Sequence, residues 1–180
     1  MSDRSYIGLI TEGNEQAFDK LFTDWFGKLY AYAFSVLRDE AIAEEAVQSV
    51  FCRIWEKRGQ LEVRTSLQAY LYGSVYHECM GWLRHEKHIK VHRSHVLRGG
   101  EQPTAENAAG KVELGELEIR LKQALDELPD QCRAIFQLSR FGGLKYREIA
   151  GQLDLSVKTV EAQVSKALKH LRTKLADFLE

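Results

Sequence analysis

The residues best suited to recognition chemistry lie near the C-terminus, between Tyr146 and Glu161. The spacing of the apolar residues there predicts two short helices joined by a turn at Asp154 and Leu155. Ser156 is expected to cap the second helix, because its hydroxyl oxygen can accept a hydrogen bond from a backbone N–H that has no partner within the helix. This layout is typical of a helix-turn-helix, whose second helix lies in the major groove of DNA.

The predicted outer face of the second helix carries basic and short polar side chains. Lysines bind phosphates, and Thr, Ser and Ala are short enough to approach base edges. The residues of this face are Lys158, Thr159, Glu161, Ala162, Ser165, Lys166 and Lys169. The first helix is expected to bury Tyr146, Ile149, Ala150 and Leu153. An ordinary amphipathic helix pair with a solvated polar face is the simpler alternative, and the cap, the turn and the basic face together count against it.

A second group of candidate residues follows Leu67, where aromatic and basic side chains are interleaved. This combination suits single-stranded, unstacked bases. The group comprises Tyr70, Tyr72, Tyr76, His77, Trp82, Arg84, His85, Lys87 and His88. Tyr70 and Trp82 also lie on an apolar stripe, so burial in a core fits their positions equally well.

A third group is acidic and belongs to the helix predicted after Asp39, which is a suitable N-cap. The polar residues of this helix are Glu44, Glu45, Gln48, Arg53 and Glu56. Carboxylates beside exposed apolar surface suit a basic protein helix better than DNA. A solvated acidic face is the default interpretation for this helix taken alone.

The sequence predicts no catalytic residue, no metal site or other cofactor, and no small-molecule substrate. Imidazoles one helical turn apart can share a metal ion, and His85, His88, His92 and His95 have nearly this spacing. No carboxylate or cysteine completes that set, so a weakly basic surface is the preferred interpretation. The glycine pairs of the chain lack the spacing of a phosphate-binding loop.

Composition limits the class of protein. The 180-residue chain is 44% hydrophobic and 28% charged, with a formal net charge of −1. Any nucleic-acid binding must therefore depend on local basic patches. The chain has no apolar run of membrane-spanning length and no apolar signal core at its N-terminus, so we expect a cytoplasmic protein without membrane insertion. Its three well-separated cysteines, Cys52, Cys79 and Cys132, are expected to be reduced thiols.

The elements that must position these groups are all helical. Apolar residues recur in three- and four-residue steps without sustained strand alternation, which predicts an all-α fold of two small helical domains. The first domain is expected over residues 14–90 and the second over residues 114–177. Residues 91–113 contain Gly99-Gly100, Pro103 and Gly110 and are expected to form a flexible linker.

Taken together and in this order, the two helical blocks resemble the sigma-70 family of RNA polymerase sigma factors, in its extracytoplasmic-function (ECF) group. The matching segments are Ala17–Phe22, Ala43–Trp55, Ser66–Tyr72 and Trp82–Arg84 in region 2, and Leu128–Arg133, Leu144–Ala150 and Leu155–Arg172 in region 4. The resemblance implies a promoter-specificity factor that is not itself an enzyme. It also implies three partners: core RNA polymerase through its β′ and β subunits, promoter DNA, and an anti-sigma factor.

The resemblance also implies roles for particular residues. Core polymerase binding falls to Glu44, Glu45, Gln48, Phe51 and Trp55. Binding of the −10 element falls to Arg64, Tyr72, Tyr76, His77, Arg84 and Lys87, with the loop Leu61–Ser66 forming part of a pocket for a flipped base. Binding of the −35 element falls to Lys158, Thr159, Glu161, Ala162, Ser165, Lys166, Lys169 and Arg172. The chain departs from the family at Ser49, where family members often carry an acidic residue, and at Tyr76-His77, where many carry Arg-Asn.

Two other classes of protein share parts of this pattern. Receiver-linked activators carry a similar DNA-reading domain, but they need a sensory or α/β receiver domain upstream, and the N-terminal block here is wholly helical. A helical interaction bundle without a role on DNA would not need the aromatic and basic third helix. A sigma factor would bind core polymerase in solution, whereas a classical regulator would bind duplex DNA alone.

Overall fold

The computed structural model describes residues 3–96 and 115–178, and within them every regular element is a helix. The helices are α1 (Asp3–Thr11), α2 (Glu15–Leu37), α3 (Glu40–Glu56), α4 (Leu67–Val96), α5 (Glu116–Asp126), α6 (Asp130–Phe141), α7 (Tyr146–Leu153) and α8 (Val157–Lys174), with short 3-10 turns at Arg58–Gln60 and Ala176–Phe178. The predicted all-α fold class is confirmed. Most of the predicted linker lies outside the described residues.

Polar caps separate the first long helices. Oδ1 of Asn14 accepts a hydrogen bond from the backbone N–H of Ala17 at 2.9 Å, which begins α2. Arg38 ends α2 in the left-handed conformation, with φ 61°. Oδ1 of Asp39 then accepts from the N–H of Ile42 at 2.9 Å, so the cap predicted for α3 is confirmed. This tight connection folds α3 back along α2 as a helical hairpin.

Helix α1 was not expected from the sequence. It is only nine residues long, and isolated helices of that length are not stable in water, so tertiary packing must hold it. Ile10 is fully buried, and the hydroxyl of Tyr6 donates a hydrogen bond to the carbonyl oxygen of Ala17 at 2.8 Å. Contacts with α2 therefore stabilise α1.

Helix α4 is the longest element, with 30 residues. The first predicted domain ends at residue 90, whereas α4 continues six residues further, to Val96. The segment from Trp82 to Val96 contains no glycine or proline, so nothing in the local sequence ends the helix earlier.

The N-terminal helices α1–α4 and the C-terminal helices α5–α8 pack against each other. Their buried side chains form one continuous apolar cluster, and α2 and α4 both contact α6. Tyr32 is fully buried, and its hydroxyl donates to the carbonyl oxygen of Ala134 across the contact at 3.2 Å. The flanking sequence patterns did not predict this contact.

Candidate nucleic-acid interface

The helix-turn-helix has the predicted geometry. Asp154 adopts the left-handed conformation (φ 52°) and ends α7, and the N–H of Leu155 donates to the carbonyl oxygen of Ala150 at 3.0 Å. Oγ of Ser156 then accepts a hydrogen bond from the N–H of Thr159 at 3.0 Å. The predicted turn and cap are both confirmed.

The two faces of α8 differ as its sequence pattern predicts. Val160, Val164, Ala167 and Leu171 are buried against the other C-terminal helices. The exposed residues are Lys158, Glu161, Ala162, Ser165, Lys166, Lys169 and Arg172. Thr159 is half-buried, and its hydroxyl lies 2.8 Å from Oγ of Ser156. All eight residues expected to face DNA therefore lie around one outer surface of a single helix.

The cations of this surface are free to bind another molecule. In the described part of the chain, Lys158, Lys166, Lys169 and Arg172 have no carboxylate partner within 4.0 Å. By contrast, His170 and Lys174 contact the carboxylate of Glu127 at 3.3 and 2.7 Å. The hydrogen bond from Lys174 is the main cause of the lowered pKa of Glu127.

Helix α7 differs from the sequence prediction at its first residue. Ile149, Ala150 and Leu153 are buried as expected, but Tyr146 is 36% exposed. Tyr146 is the first residue of the helix and directly follows Lys145. The prediction that Tyr146 is buried is therefore wrong.

The residues expected to bind the −10 strand divide into two groups. Arg64, Arg84 and Lys87 are exposed; Arg64 lies 3.7 Å from the carboxylate of Glu62, and Lys87 lies 2.6 Å from that of Asp130. His77 is exposed on α4. Tyr72 and Tyr76 are instead only 3% and 5% exposed.

The two buried tyrosines lie at the contact between the N-terminal and C-terminal helices. The hydroxyl of Tyr72 donates to the carbonyl oxygen of Phe141 at 3.2 Å. Burial raises the pKa of Tyr72, and it is also the main cause of the raised pKa of Tyr76. In this arrangement neither ring is open to a nucleic acid. Tyr70 and Trp82, for which burial was the alternative, are half-buried.

A cavity of about 320 Å³ lies between α3, the loop that follows it, and α4. It is lined by Val50, Arg53, Ile54, Lys57, Gln60, Leu61, Tyr70, Ser74 and His77. The lining combines cationic and amide donors with an aromatic ring and an apolar floor. Leu61, the first residue of the loop expected to form a base pocket, is among these residues.

The acidic face of α3 is open. Glu44, Glu45 and Gln48 are exposed, and Nε2 of Gln48 donates to the Glu44 carboxylate at 3.0 Å. Trp55 is half-buried, with the Arg58 guanidinium 4.4 Å from the centre of its ring. A basic partner can reach the three polar side chains directly.

Phe51 and Ser49 point away from this open face. Phe51 is only 2% exposed, and its ring packs in the seam with Phe22 and Phe26 of α2, at centroid distances of 4.9 and 6.5 Å. Phe51 therefore packs α3 against α2, and its ring is not available to a partner. The hydroxyl of Ser49 donates a hydrogen bond to the carboxylate of Glu78 on α4 at 3.4 Å. At this position, where the chain departs from its family, the side chain therefore contacts another helix of the same protein.

Cys79 and Cys132 are buried, Cys52 is exposed, and all three are free thiols.

Among the described helices, none is long and apolar enough to cross a membrane. No described group of three or more His, Cys, Asp or Glu side chains could hold a metal ion; the side chains of His92 and His95 lie outside that description.

Comparisons with known proteins match the two halves of the fold separately. The family model for Sigma-70 region 2 matches residues 21–89, and the family model for Sigma-70, region 4 matches residues 118–171. The ECF RNA polymerase sigma factor SigK of Mycobacterium ulcerans is 24% identical over 164 residues, which cover 91% of this chain and 88% of SigK. SigK of Mycobacterium tuberculosis (strain ATCC 25618 / H37Rv) is 24% identical over 162 residues, with 89% and 87% coverage.

Two solved structures share the fold. The sigma factor RpoE from Bartonella quintana, solved with the anti-sigma factor NepR, has a TM-score of 0.67 and 23% identity, covering 88% of this chain and 96% of RpoE. CnrH, solved with the cytosolic domain of CnrY, has a TM-score of 0.70 and 20% identity, with 97% of each chain covered.

The fold, the outward-facing helix-turn-helix and the order of the two regions define a transcription initiation factor. The chain belongs to the sigma-70 family of RNA polymerase sigma factors, in its ECF group. It directs the initiation of transcription at promoters, as the resemblance implied. The match to region 2 excludes a receiver-linked activator for the N-terminal half.

Proposed function

We propose that the chain grips a promoter at two places while bound to core RNA polymerase. Region 2 comprises residues 14–90, docks on the polymerase and holds the melted −10 strand. Region 4 comprises residues 114–177 and reads the −35 duplex, and residues 91–113 link the two. The observation that carries this proposal is the outer face of α8, whose cations are exposed and unpaired in the described part of the chain.

Region 4 meets the −35 element through α8. The capped N-terminal turn brings Lys158, Thr159, Glu161 and Ala162 to base edges, followed by Ser165 and Lys166 one turn later. Lys169 and Arg172 lie further along the helix, where they bind phosphates. The net charge of −1 agrees with this division of labour, because polymerase supplies most of the affinity and α8 selects the site.

Region 2 docks on the polymerase through the open face of α3. Glu44, Glu45 and Gln48 offer carboxylate and amide groups to a basic helix, and Trp55 adds a half-buried aromatic edge. Charge complementarity of this kind sets partner choice and association rate more than affinity. The β′ subunit provides the complementary surface, and the β subunit contacts region 4.

The cavity beside the α3–α4 loop receives a flipped base of the −10 strand. Extruding a base costs a few kcal/mol of unstacking, and this cost must be offset by stacking and by hydrogen bonds. The Tyr70 ring and the donors of Arg53, Lys57 and Gln60 line the cavity. Arg64, Arg84 and Lys87 bind the strand backbone on either side.

Polymerase performs the chemistry of RNA synthesis, so the chain needs no catalytic residue and no cofactor and is not itself an enzyme. It acts in the cytoplasm, where core polymerase is found. RpoE and CnrH were each solved in complex with another protein, NepR and CnrY. We infer that an anti-sigma factor binds this chain as well.

The proposal is tested by transcription in vitro. Purified core polymerase is mixed with the chain on genomic DNA, and the 5′ ends of the transcripts are sequenced. We expect starts downstream of one shared pair of −35 and −10 elements, absent with core alone. A transcript profile identical to that of core alone would contradict the proposal.

A further inference from the structure

The 3-10 turn at the start of the α3–α4 loop, Arg58–Gln60, carries one wall of the cavity described above. Lys57 directly before the turn, Gln60 at its end and Leu61 directly after it all line the cavity. The N–H of Gln60 donates to the carbonyl oxygen of Lys57 at 2.8 Å, and the N–H of Leu61 donates to that of Arg58 at 3.2 Å. The position of the turn therefore sets the shape of the cavity on this side.

Arg58 is the residue that joins this turn to the end of α3. Its Nη1 donates a hydrogen bond to the carbonyl oxygen of Trp55 at 2.7 Å, and its guanidinium lies 4.4 Å from the centre of the Trp55 ring. Trp55 lies in the last turn of α3, where carbonyl oxygens lack partners within the helix and the helix dipole attracts a cation. The face of an indole ring attracts a guanidinium as well. The end of α3 is therefore a favourable seat for the Arg58 side chain.

Helix α1 forms the other side of this seat. It ends at Gly13, which is left-handed with φ 83°. The N–H of Gly13 donates to the carbonyl oxygen of Ile10, and the N–H of Asn14 donates to that of Leu9, both at 2.9 Å. This pair of bonds is a Schellman motif, a helix end that favours glycine. Nε of Arg58 lies 3.5 Å from the place that a Cβ atom of Gly13 would occupy, so the guanidinium reaches the C-terminal end of α1.

The charge of Arg58 is balanced by helix ends and not by an acidic side chain. Arg58 is half-buried, and no carboxylate of the described residues lies within 4.0 Å of its guanidinium. The C-terminal ends of α1 and α3 both lie beside it, and each carries a partial negative charge. One side chain thus ties two helices that are distant in the sequence to the turn that borders the cavity.

We propose that Arg58 is a positioning residue for recognition of the −10 strand. Held between the ends of α1 and α3, it fixes the turn and with it the cavity wall formed by Lys57, Gln60 and Leu61. The proposal rests on the assignment of this cavity to a flipped base under the proposed function. Arg58 acts through the wall and does not touch the base. Ordering the wall in advance lowers the cost of binding, so loss of Arg58 weakens recognition of the base more than binding of the strand backbone.

Amide hydrogen exchange tests whether Arg58 holds the turn. Exchange of the Gln60 and Leu61 amides is followed by NMR in the full-length protein. Arg58→Ala should speed exchange about tenfold or more, because the turn opens locally more often. Arg58→Lys keeps a cation above the indole and should speed exchange less than about threefold.

The matched control for hydrogen exchange is Lys28→Ala. It removes a different cation from above a tryptophan, since Nζ of Lys28 lies 4.8 Å from the centre of the Trp25 ring on α2. Both amides should exchange at unchanged rates in this variant. Unchanged rates in Arg58→Ala would overturn the role of Arg58, and so would exchange at the rate of an unstructured peptide in the unsubstituted protein.

Base discrimination by the holoenzyme tests the consequence for the −10 strand. The protein is assembled with core polymerase, and affinity is measured for a single-stranded −10 oligonucleotide taken from the promoters mapped by transcription. The same strand is then prepared with one abasic site, which is moved through the element position by position. We expect the unsubstituted holoenzyme to lose about tenfold or more in affinity at one position, as lost base stacking predicts.

Arg58→Ala should lose less than about threefold at that position and should bind the abasic strand as tightly as the unsubstituted holoenzyme, whereas Arg58→Lys should still lose about fivefold or more. A protein that is merely destabilised would lose affinity for both strands alike. Full discrimination by Arg58→Ala would overturn the positioning role. If the unsubstituted holoenzyme responds to no abasic site, the assignment of the cavity to a flipped base fails, and hydrogen exchange still decides whether Arg58 holds the turn.

Discussion

The hydroxyl of Tyr72 on α4 donates a hydrogen bond to the backbone carbonyl oxygen of Phe141 at the end of α6, 3.2 Å away and 69 residues further along the chain. This bond joins region 2 to region 4. A residue whose type suggested stacking on single-stranded DNA is therefore a structural residue of the contact between the regions, and this changes what its substitution should do.

Replacing Tyr72 with Phe keeps the buried ring and removes the bond to Phe141. Because the part-buried carbonyl oxygen of Phe141 loses its partner, we expect the free energy of unfolding to fall by about 1 kcal/mol. Urea denaturation followed by circular dichroism measures the change. Tyr30→Phe is the matched control, since the half-buried Tyr30 hydroxyl has no hydrogen bond in the described part of the chain. An unchanged midpoint for Tyr72→Phe would show that the bond contributes nothing to stability.

Replacing Lys166 with Glu should lower −35-dependent transcription about tenfold, which corresponds to about 1.4 kcal/mol. The exposed lysine lies on the outer face of α8, so the reversed charge would repel the phosphates it is proposed to approach. Run-off transcription and a core polymerase pull-down are measured together, and core binding should not change. As a control, Lys20→Glu reverses the charge of an exposed lysine of α2 that pairs with Asp24 at 3.1 Å. It should change neither transcription nor core binding. Equal loss of transcription and core binding in Lys166→Glu would refute the assignment.

The double change Glu45→Arg with Gln48→Ala should weaken core polymerase binding. It replaces an exposed carboxylate and an exposed amide with a cation and a methyl group on the face proposed to meet a basic helix. A loss of about 1–3 kcal/mol, or roughly 5- to 150-fold in Kd, is expected for charges at the contact. Fluorescence titration of labelled protein with core measures it. The control variant, Glu12→Arg with Gln16→Ala, changes exposed positions around the α1–α2 turn and should bind core polymerase normally. Unchanged affinity of the Glu45→Arg, Gln48→Ala variant would argue against docking through the α3 face.

The three thiols should differ in reactivity because only the thiolate attacks a disulfide reagent. Burial raises the pKa of Cys79 to about 12 and is the main cause of the raised pKa of Cys132, so at pH 8 both stay protonated as well as covered. Titration with Ellman's reagent should show one fast thiol in the folded protein and three in denaturant. Cys52→Ser should abolish the fast phase. Two fast thiols in the folded protein would mean that one of the buried sites opens readily.

Much of the local structure could be predicted because it depends on neighbours along the chain. Asp39 and Ser156 cap their helices through backbone groups three residues away, and Asp154 ends α7 by its own conformation. The split of α8 into a buried and an exposed face follows from helical periodicity. The same reasoning missed α1, which is too short to form without α2, and it misplaced Tyr146, because periodicity does not show where a core ends.

The sequence by itself determined the helices other than α1, the caps of α3 and α8, the exposed basic face of α8 and, through the resemblance carried by its motifs, the family. These features are encoded in residues that are close together along the chain. Only the tertiary structure decided which candidate residues are open to a partner. It buries Phe51 in the α2–α3 seam and covers Tyr72 and Tyr76 with region 4, while Glu45 and Lys166 remain exposed. The reason is physical: a contact such as that between Tyr72 and Phe141 depends on the packing of helices far apart in the chain, and no local pattern records it.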